Sequence, residues 1–181
     1  MLPIPTTSLQ DVVLLLLEAL LAFVRPRRFG KALMAPIKLR TQPRNYREPA
    51  VLFVMRKNIA YVGEQFWDGA DLVMEVVSPD DPQRDYIGKR RDYAAAGVSE
   101  YWIVDPMKKT ITVLKLMRGK YQTHGVLKRG EITTSALLKR ASNRIRPSVL
   151  RQARYDRIAG VEHREESSNG VKLYRSRCSK A

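Results

Sequence analysis

The first strong pattern along the chain is an apolar run near the N-terminus, Val12 to Val24, which only Glu18 interrupts. This run predicts a buried helix, with Asp11 as its N-cap and Pro26 just beyond its end. The run is shorter than the roughly 20 apolar residues that span a bilayer, and the segment before it lacks the positive charges of a signal peptide. We therefore expect a core helix rather than a membrane anchor.

Strand patterns follow this helix. Two apolar segments, Ala32 to Leu39 and Val51 to Met55, flank a polar stretch from Arg40 to Pro49, which predicts a hairpin. The nearly continuous apolar run DLVMEVV covers residues 71–77 and stops at Ser78-Pro79. Such a run is typical of a central strand that is covered on both faces.

A second helix is predicted from about Pro82 to Ala96, because Asp81 can cap its first turn and Gly97 follows its last residue. Three further strands are predicted after it, the last two as a hairpin across Gly119: Glu100 to Val104, Thr110 to Leu116 and Lys120 to Leu127. One helix that crosses between two apolar strands indicates an α/β fold with a central mixed sheet flanked by helices.

The periodic pattern ends at Leu138. Residues 139–181 contain few large apolar side chains and no sustained period of two or 3.6, which predicts a mostly disordered tail. A short helix around Ser148 to Ile158 is the one segment of this tail for which the pattern allows structure. The sequence therefore predicts one domain over residues 1–138 and a tail over residues 139–181.

The charge distribution supports this division. The chain of 181 residues has 33 Lys and Arg against 18 Asp and Glu, a net charge of +15. The predicted tail contains 12 basic and four acidic residues and carries +8 of this charge, which leaves +7 for residues 1–138. Such an excess favours polyanionic partners such as nucleic acid. The single cysteine, Cys178, excludes an internal disulfide and a cysteine-based zinc site, and suits a reducing cytoplasm.

Glu75 stands out because it places a carboxylate inside the predicted central strand, where a charge needs a partner or a metal. In the following helix Asp85 and Lys89 lie four residues apart on one face, and Tyr86 and Tyr93 place the apolar arc beside Lys89. The amine of Lys89 can therefore reach the sheet. The residues alone leave two interpretations open, a structural ion pair of Lys89 with Glu75 or Asp85, and a functional site.

The aromatic residues give no separate signal for nucleic-acid binding, because no exposed strand alternates basic and aromatic residues as single-strand binders do. They are interpreted as core or rim residues: Trp67, Tyr93, Tyr101 and Trp102.

Three segments together resemble one protein family. They are, in order, YREPAVLFV, GADLVMEVVSPDDPQRDYIGKRRDYAAAGVSEYWIVDP and GEITTSALL. This combination is similar to the Uma-two family of restriction endonucleases in the PD-(D/E)XK nuclease superfamily, over about Ser8 to Leu138. The resemblance implies a restriction-endonuclease-like mixed sheet flanked by helices, and an endodeoxyribonuclease that depends on Mg²⁺ or Mn²⁺.

The resemblance also implies roles for individual residues. Glu75 matches the acidic metal ligand on the central strand of the family pattern. Val77 occupies the place where the superfamily has its lysine, so Lys89 on the next helix is implied as the residue that stabilises charge on the phosphate. Asp71 and Asp85 are implied as supporting residues.

The chain departs from the family pattern at Ala50, which follows Arg47-Glu48-Pro49 where the family has a metal-binding Asp. This loss implies weak metal binding and impaired cleavage. Glu48 has the strand parity to replace the missing ligand, and the alternative is an exposed charge at a strand end. Asp71 lies roughly 13 Å along the strand from Glu75, too far to ligate the same metal. Leu9, where many relatives have His, and the position of the first residue imply a shortened N-terminus.

Three functions remain open at this point: a metal-dependent DNA endonuclease, a catalytically inactive nucleic-acid-binding protein, and a decayed nuclease reading frame. DNA is the expected partner of the first two, no membrane association is expected, and a homodimer is compatible with the sequence. The residues assigned to nucleic-acid contacts are Arg84, Arg90, Lys139 and Arg140.

Overall fold

A computed structural model describes residues 6–128, 131 and 134–138 of the chain. The tail predicted over residues 139–181 lies outside these residues. The domain boundary, the short helix predicted within the tail and the contacts assigned to Lys139 and Arg140 therefore stay predictions.

The described residues form two sheets and two helices. The helices are α1 (Thr7–Val24) and α2 (Arg90–Ala95), with a 3₁₀ helix at Arg56–Tyr61 and a π-helix at Arg84–Lys89 that leads directly into α2. The strands are β1 (Gly30–Met34), β2 (Lys38–Gln42), β3 (Asn45–Arg47), β4 (Val51–Met55), β5 (Phe66–Trp67), β6 (Leu72–Val76), β7 (Glu100–Asp105), β8 (Thr110–Met117) and β9 (Lys120–Lys128).

The larger sheet has six strands in the order β1-β4-β6-β7-β8-β9. Strands β6 and β7 are parallel, and every other neighbouring pair in this sheet is antiparallel. Since the π-helix and α2 connect β6 to β7, they form the crossover that a parallel pair requires. The predicted mixed α/β sheet, with the run over residues 71–77 as a central strand, is confirmed.

Helix α1 confirms the predicted core helix but begins earlier than the apolar run. Its N-cap is Thr6, whose Oγ1 accepts a hydrogen bond from the Leu9 N–H at 3.4 Å, so the prediction of Asp11 as N-cap is wrong. The Thr6 hydroxyl allows a polar first turn to join the helix, and Asp11 lies inside it. By length and composition alone this 18-residue helix could cross a membrane. Six of its residues are buried in the core: Val12, Val13, Leu16, Leu20, Phe23 and Val24.

The strand predicted over Ala32 to Leu39 is two strands, because the chain turns at Ala35-Pro36. Strand β1 pairs with β4 in the large sheet, whereas β2 enters a second sheet of three strands in the order β3-β2-β5. Proline cannot donate a hydrogen bond to a sheet ladder, which favours a break there. The predicted hairpin partners β1 and β4 therefore do pair, but two strands of the small sheet, β2 and β3, lie between them in the chain.

The central strands of the large sheet, β4, β6 and β7, are buried on both faces. Helix α1 covers one face, and α2 with the small sheet covers the other. Along β6, Leu72 and Met74 pack in the α1 layer, and Val73 packs in the α2 layer. Because side chains alternate along a strand, Glu75 points towards α2.

Candidate active site

The carboxylate of Glu75 is buried in the α2 layer, with 3% of the residue exposed. Its Oε1 accepts a hydrogen bond from the Tyr93 hydroxyl at 2.5 Å. Its Oε2 lies 2.9 Å from Lys89 Nζ and accepts a longer hydrogen bond, 3.4 Å, from the Ala50 N–H. Strand β6, strand β4 and the helical crossover therefore all meet at this one carboxylate.

Asp85 is the second buried carboxylate of the site and shares the same ammonium group. Lys89 Nζ lies 2.7 Å from Asp85 Oδ1, and the side chains of Asp85 and Lys89 are 1% and 13% exposed. Apart from this ion pair, neither carboxylate oxygen of Asp85 has a hydrogen-bond partner among the described residues. Two carboxylates therefore surround one ammonium, and one carboxylate oxygen, Asp85 Oδ2, faces no donor.

The π-helix at Arg84–Lys89 is what places Asp85 and Lys89 on the sheet. Its first turn is capped by Asp81, whose Oδ1 accepts a hydrogen bond from the Arg84 N–H at 3.2 Å, as the sequence predicts. The buried Tyr101 hydroxyl donates to the Asp85 carbonyl at 2.9 Å and ties this segment to β7. Short π-helical segments are rare and often lie at functional sites.

The electrostatics of Glu75 follow from this environment. Burial raises the pKa of Glu75 above its ordinary value, and the charge of Lys89 and the hydrogen bond from Tyr93 only partly offset the effect. The pKa of Tyr93 is raised well above its ordinary value by burial and by the Glu75 carboxylate, so the tyrosine remains a neutral donor. A raised carboxylate pKa in a buried cluster of charges is typical of functional sites.

Ala50 lies beside Glu75 at the start of β4. Ala50 directly precedes β4, next to the pair of Val51 with Met74 that ends the β4–β6 register. The N–H of Ala50 faces Glu75, while its half-buried methyl group packs against the α1 layer. The contact between Ala50 and Glu75 is therefore made by the backbone, and the Ala50 side chain takes no part in it.

The structure does not bring every predicted residue to this site. Glu48 is exposed, and the described contacts of Glu75 do not include it. Asp71 lies beyond the other end of β6, where its carboxylate accepts hydrogen bonds from the Met55 N–H at 2.7 Å and from Asn58 Nδ2 at 2.8 Å. There it fixes the turn from β4 into the 3₁₀ helix.

The two cations predicted to contact nucleic acid differ in their surroundings. Arg84 is half-buried, and its Nε has no hydrogen-bond partner among the described residues. Arg90 donates from Nη2 to the Tyr121 carbonyl at 2.9 Å, so its guanidinium already holds α2 to β9. Their contacts with nucleic acid stay predictions.

Sequence reasoning did not assign two further residues to the site. Tyr93 was expected as a core or rim residue, and it is a fully buried core residue that also holds Glu75. Its spacing could have shown this role, since Asp85, Lys89 and Tyr93 follow one another at intervals of four. Arg47 was missed too: its Nε lies 2.9 Å from Asp92 Oδ2, and this pair joins β3 to α2. No local pattern indicates that pairing.

The donor set of the site fits a magnesium-type ion only in part. Mg²⁺ is usually held by one or two carboxylates together with water and substrate phosphates. Glu75 and Asp85 supply two carboxylates, and the partner-free Asp85 Oδ2 is an available oxygen ligand. Among the described residues no group of three or more His, Cys, Asp or Glu side chains is arranged to hold a metal ion. The residues therefore fit a weak two-carboxylate site.

Comparisons with known proteins agree with this fold. The family model described as "Uma2: Putative restriction endonuclease" matches residues 1–144. The chain is also similar in fold to a solved structure from Anabaena variabilis whose title describes "a putative nuclease belonging to DUF820". That likeness has a TM-score of 0.64 and 17% sequence identity, and covers 82% of this chain and 83% of the other. Among curated proteins, none matches the chain.

At 17% identity the likeness to the Anabaena variabilis structure establishes a shared fold. The family match is broader evidence, because it extends from α1 through the site residues and the strands that hold them. The chain belongs to the Uma2 family of restriction-endonuclease-like proteins.

Proposed function

We propose that this protein is a metal-dependent DNA endonuclease whose metal site is weakened by Ala50. The observation that carries the proposal is the buried cluster of Glu75, Asp85 and Lys89, in which two carboxylates share one ammonium. The cluster has two carboxyl groups for one ammonium, and among the described residues no donor reaches Asp85 Oδ2. Burying an uncompensated charge is costly unless a bound ligand of opposite charge neutralises it. A divalent cation is a ligand that two carboxylates can bind.

The roles of the side chains follow from their contacts. Glu75 and Asp85 would hold the cation, and a bound Mg²⁺ or Mn²⁺ would supply Lewis-acid stabilisation and an activated water. The ammonium of Lys89, which retains some exposure, would stabilise the negative charge that develops on the scissile phosphate. Tyr93 fixes one oxygen of Glu75 and leaves the other oxygen towards Lys89 and Ala50.

The missing carboxylate at Ala50 explains why weak activity is expected. The family pattern has an Asp at this position, and its carboxylate would complete a three-carboxylate site by turning from the α1 layer towards Glu75. Here the site relies on Glu75 and Asp85, which also compete for Lys89. Metal affinity, rather than the position of Lys89, is therefore the property that limits cleavage.

A nicking and linearisation assay on supercoiled plasmid tests the proposal, with Mg²⁺, with Mn²⁺ and with chelator. We expect slow cleavage that requires the metal and disappears in Glu75→Gln. Ala50→Asp should raise both Mn²⁺ affinity, measured by titration calorimetry, and cleavage by at least about tenfold. Ala50→Asn, which has the same size but no charge, is the matched control and should give neither gain.

Two further results would reject parts of the proposal. Cleavage by the unmodified chain that persists in Glu75→Gln would show that this cluster is not the active site. The double variant Ala50→Asp with Lys89→Ala should bind Mn²⁺ but cleave poorly, because it keeps the ligands and loses the charge on the phosphate. Equal cleavage with and without Lys89 would remove this residue from the mechanism.

Ala50 also favours a second function, a nuclease fold that binds DNA without cleaving it. The excess of +15 charges would support phosphate binding in either case. No cleavage after restoration of Asp at position 50, together with retained DNA binding, would select this alternative. A homodimer, which would place two sites on one duplex, is proposed for the active form and is checked by the mass of the protein in solution.

A further inference from the structure

The small sheet has one outer face that carries aromatic and basic side chains together. Along β2, Lys38, Arg40 and Gln42 are exposed, whereas the residues between them are buried. The register pairs Arg40 with Tyr46 on β3 and Lys38 with Phe66 on β5. Residues directly opposite each other in neighbouring strands share a face. We call the face formed by Lys38, Arg40, Tyr46 and Phe66 the outer face.

The two rings of the outer face form a contiguous aromatic surface. Tyr46 and Phe66 meet edge to face with their centroids 5.3 Å apart, and Tyr46 is 39% exposed. The guanidinium carbon of Arg40 lies 5.5 Å from the centroid of the Phe66 ring. No single strand has this alternation of aromatic and basic residues, but three strands assemble it. Stacking rings combined with cations are the features that bind unpaired bases.

The charges of the outer face favour a polyanion. Lys38 is exposed, and Arg44 is exposed in the adjacent turn between β2 and β3. The acidic residue in contact with this face is Asp68, which lies 2.6 Å from Arg40 Nη2, and both side chains are more than 40% exposed. An exposed ion pair of this kind is weak, so a phosphate can replace Asp68 as the partner of Arg40.

The outer face is also close to the candidate active site along the chain. Tyr46 precedes Ala50 by four residues, so their Cα atoms are at most about 14 Å apart. Arg47 follows Tyr46 and is bonded to Asp92 of α2, the helix that continues from Lys89. This link holds the small sheet beside the helical segment that carries Asp85 and Lys89.

We propose that the outer face is a stacking platform for unpaired bases of a nucleic-acid strand bound at the active site. Tyr46 and Phe66 supply the stacking surface, while Lys38 and Arg40 pair with the flanking phosphates. The proposal deepens the proposed function, since it rests on a nucleic-acid substrate and adds the part of that substrate which the small sheet contacts.

Fluorescence anisotropy with the full chain in chelator tests the platform without cleavage. The probes are a labelled single-stranded oligonucleotide and a blunt duplex of the same sequence. Tyr46→Leu, which keeps apolar bulk but loses the ring, should weaken single-strand binding by about fivefold or more and change duplex binding little. Tyr46→Phe should retain binding. Tyr61→Leu, at a tyrosine that is 43% exposed on the 3₁₀ helix, is the matched control and should bind normally.

A variant of Lys38 tests the phosphate contacts of the outer face independently of the aromatic rings. Lys38→Gln should reduce the slope of log affinity against log salt for the single strand by about 0.7, the value for one phosphate contact. Unchanged single-strand binding in Tyr46→Leu, or an equal loss in Tyr61→Leu, would overturn the platform. Loss of single-strand binding in a chain that shows no metal-dependent cleavage would keep the platform and reject the nuclease. If Tyr46→Leu cleaves normally and binds the single strand as tightly as the unmodified chain, the nuclease is kept and the platform is rejected.

Discussion

At the scale of single residues, Tyr93 is one of the groups that set the pKa of the Glu75 carboxyl group, after burial and Lys89. Its hydroxyl donates at 2.5 Å to Glu75 Oε1, and its ring belongs to the α2-layer core. Burial raises the pKa of Glu75 above its ordinary value of 4.5, and the Tyr93 hydrogen bond is one of the contacts that limit this rise. A group with a raised pKa contributes stability that is fully present below its unfolded pKa and is lost as the pH rises through the folded value.

Tyr93→Phe should therefore destabilise the protein in a pH-dependent way. Without the hydroxyl, the pKa of Glu75 rises further, and the charged carboxylate loses a donor in a buried position. We expect a cost of about 1–3 kcal/mol in the free energy of unfolding where Glu75 is charged, and a smaller cost at pH values below its raised pKa, where the carboxyl group is protonated. Urea unfolding of both chains across this pH range measures the difference.

Tyr121→Phe is the matched control for that experiment. The Tyr121 hydroxyl donates to the Val98 carbonyl at 2.7 Å, a contact with an acceptor that does not titrate. Its loss should cost a similar free energy at every pH in the range. A pH-independent cost for Tyr93→Phe as well would show that Glu75 does not depend on this hydrogen bond.

Site residues that a local sequence pattern marks can be predicted from the sequence. Those whose role depends on contacts with residues far away in the chain cannot. Glu75 was singled out because a charge interrupts an apolar strand, and Lys89 because it lies on the helix face beside it. The link between Arg47 and Asp92 spans 45 positions and has no periodic signature. The partner-free oxygen of Asp85 depends on side-chain packing that only coordinates show.

At the scale of elements, the pair of Arg47 and Asp92 joins the small sheet to α2. Arg47 Nε and Nη2 both contact Asp92 Oδ2, and the Asp92 side chain is 4% exposed. Burial alone would raise the pKa of Asp92, but the hydrogen bonds and charge of Arg47, with a further contribution from Arg91, lower it overall. A lowered pKa contributes stability that is present above the unfolded value and is lost as the pH falls through the folded value.

Arg47→Met should accordingly cost about 1.5–3 kcal/mol near neutral pH, because it keeps the side-chain stem and removes the charged hydrogen bonds. The cost should shrink as the pH falls below 3.8, the ordinary pKa of Asp92, where the carboxylate gains a proton. Urea unfolding at stepped pH measures both quantities. Arg40→Met breaks an exposed pair instead and should cost less than about 1 kcal/mol. Equal costs for the two variants would contradict a buried link.

The helices and strands can be predicted from the sequence wherever the apolar residues are periodic or turn residues such as Gly and Pro mark the ends. The hairpin of β8 and β9 is confirmed, and Arg118 and Gly119 at its turn have φ values of 50° and 78°. The small sheet was missed because its strands are only two to five residues long and polar on one face. Strands this short carry too few alternations to be separated from a loop.

At the scale of the whole molecule, the last described residues close the fold. Glu100 is fully buried on β7, where it accepts hydrogen bonds from Trp102 Nε1 at 2.5 Å and from the Leu137 N–H at 2.6 Å. Leu137 and Leu138 pack against the α1 layer. The TSALL motif therefore has a structural role, since it covers a buried carboxylate of the sheet.

A pair of truncations tests where the folded domain ends. A chain that stops after Leu138 should unfold with nearly the same free energy as the full chain, because it keeps the contacts with Glu100. A chain that stops after residue 133 should lose about 1–3 kcal/mol, since the Glu100 carboxylate then lacks the Leu137 donor. Thermal or urea unfolding of the three chains decides this. Unfolding of the 138-residue chain would place the boundary further along.

Removal of residues 139–181 should also change how the protein binds DNA. These residues carry +8 of the +15 net charge, and each charge that engages a duplex phosphate adds about 0.9 to the slope of log affinity against log salt. The shortened chain should therefore show a flatter slope with the same sequence preference. Binding isotherms at several salt concentrations measure this, and equal slopes for both chains would show that the tail does not contact DNA.

The π-helix at Arg84–Lys89 has a consequence for how this helix aligns with other sequences. A π-turn contains one residue more than an α-turn, so a relative with a regular α-helix here would match only across a one-residue gap. Deleting Gly88, where an added Cβ would meet nothing within 4 Å, would remove that extra residue. The part of the helix before the deletion would then rotate by about 100° relative to the part after it. Asp85 would then lie three residues before Lys89 instead of four, so its carboxylate would approach the shared ammonium from a different direction.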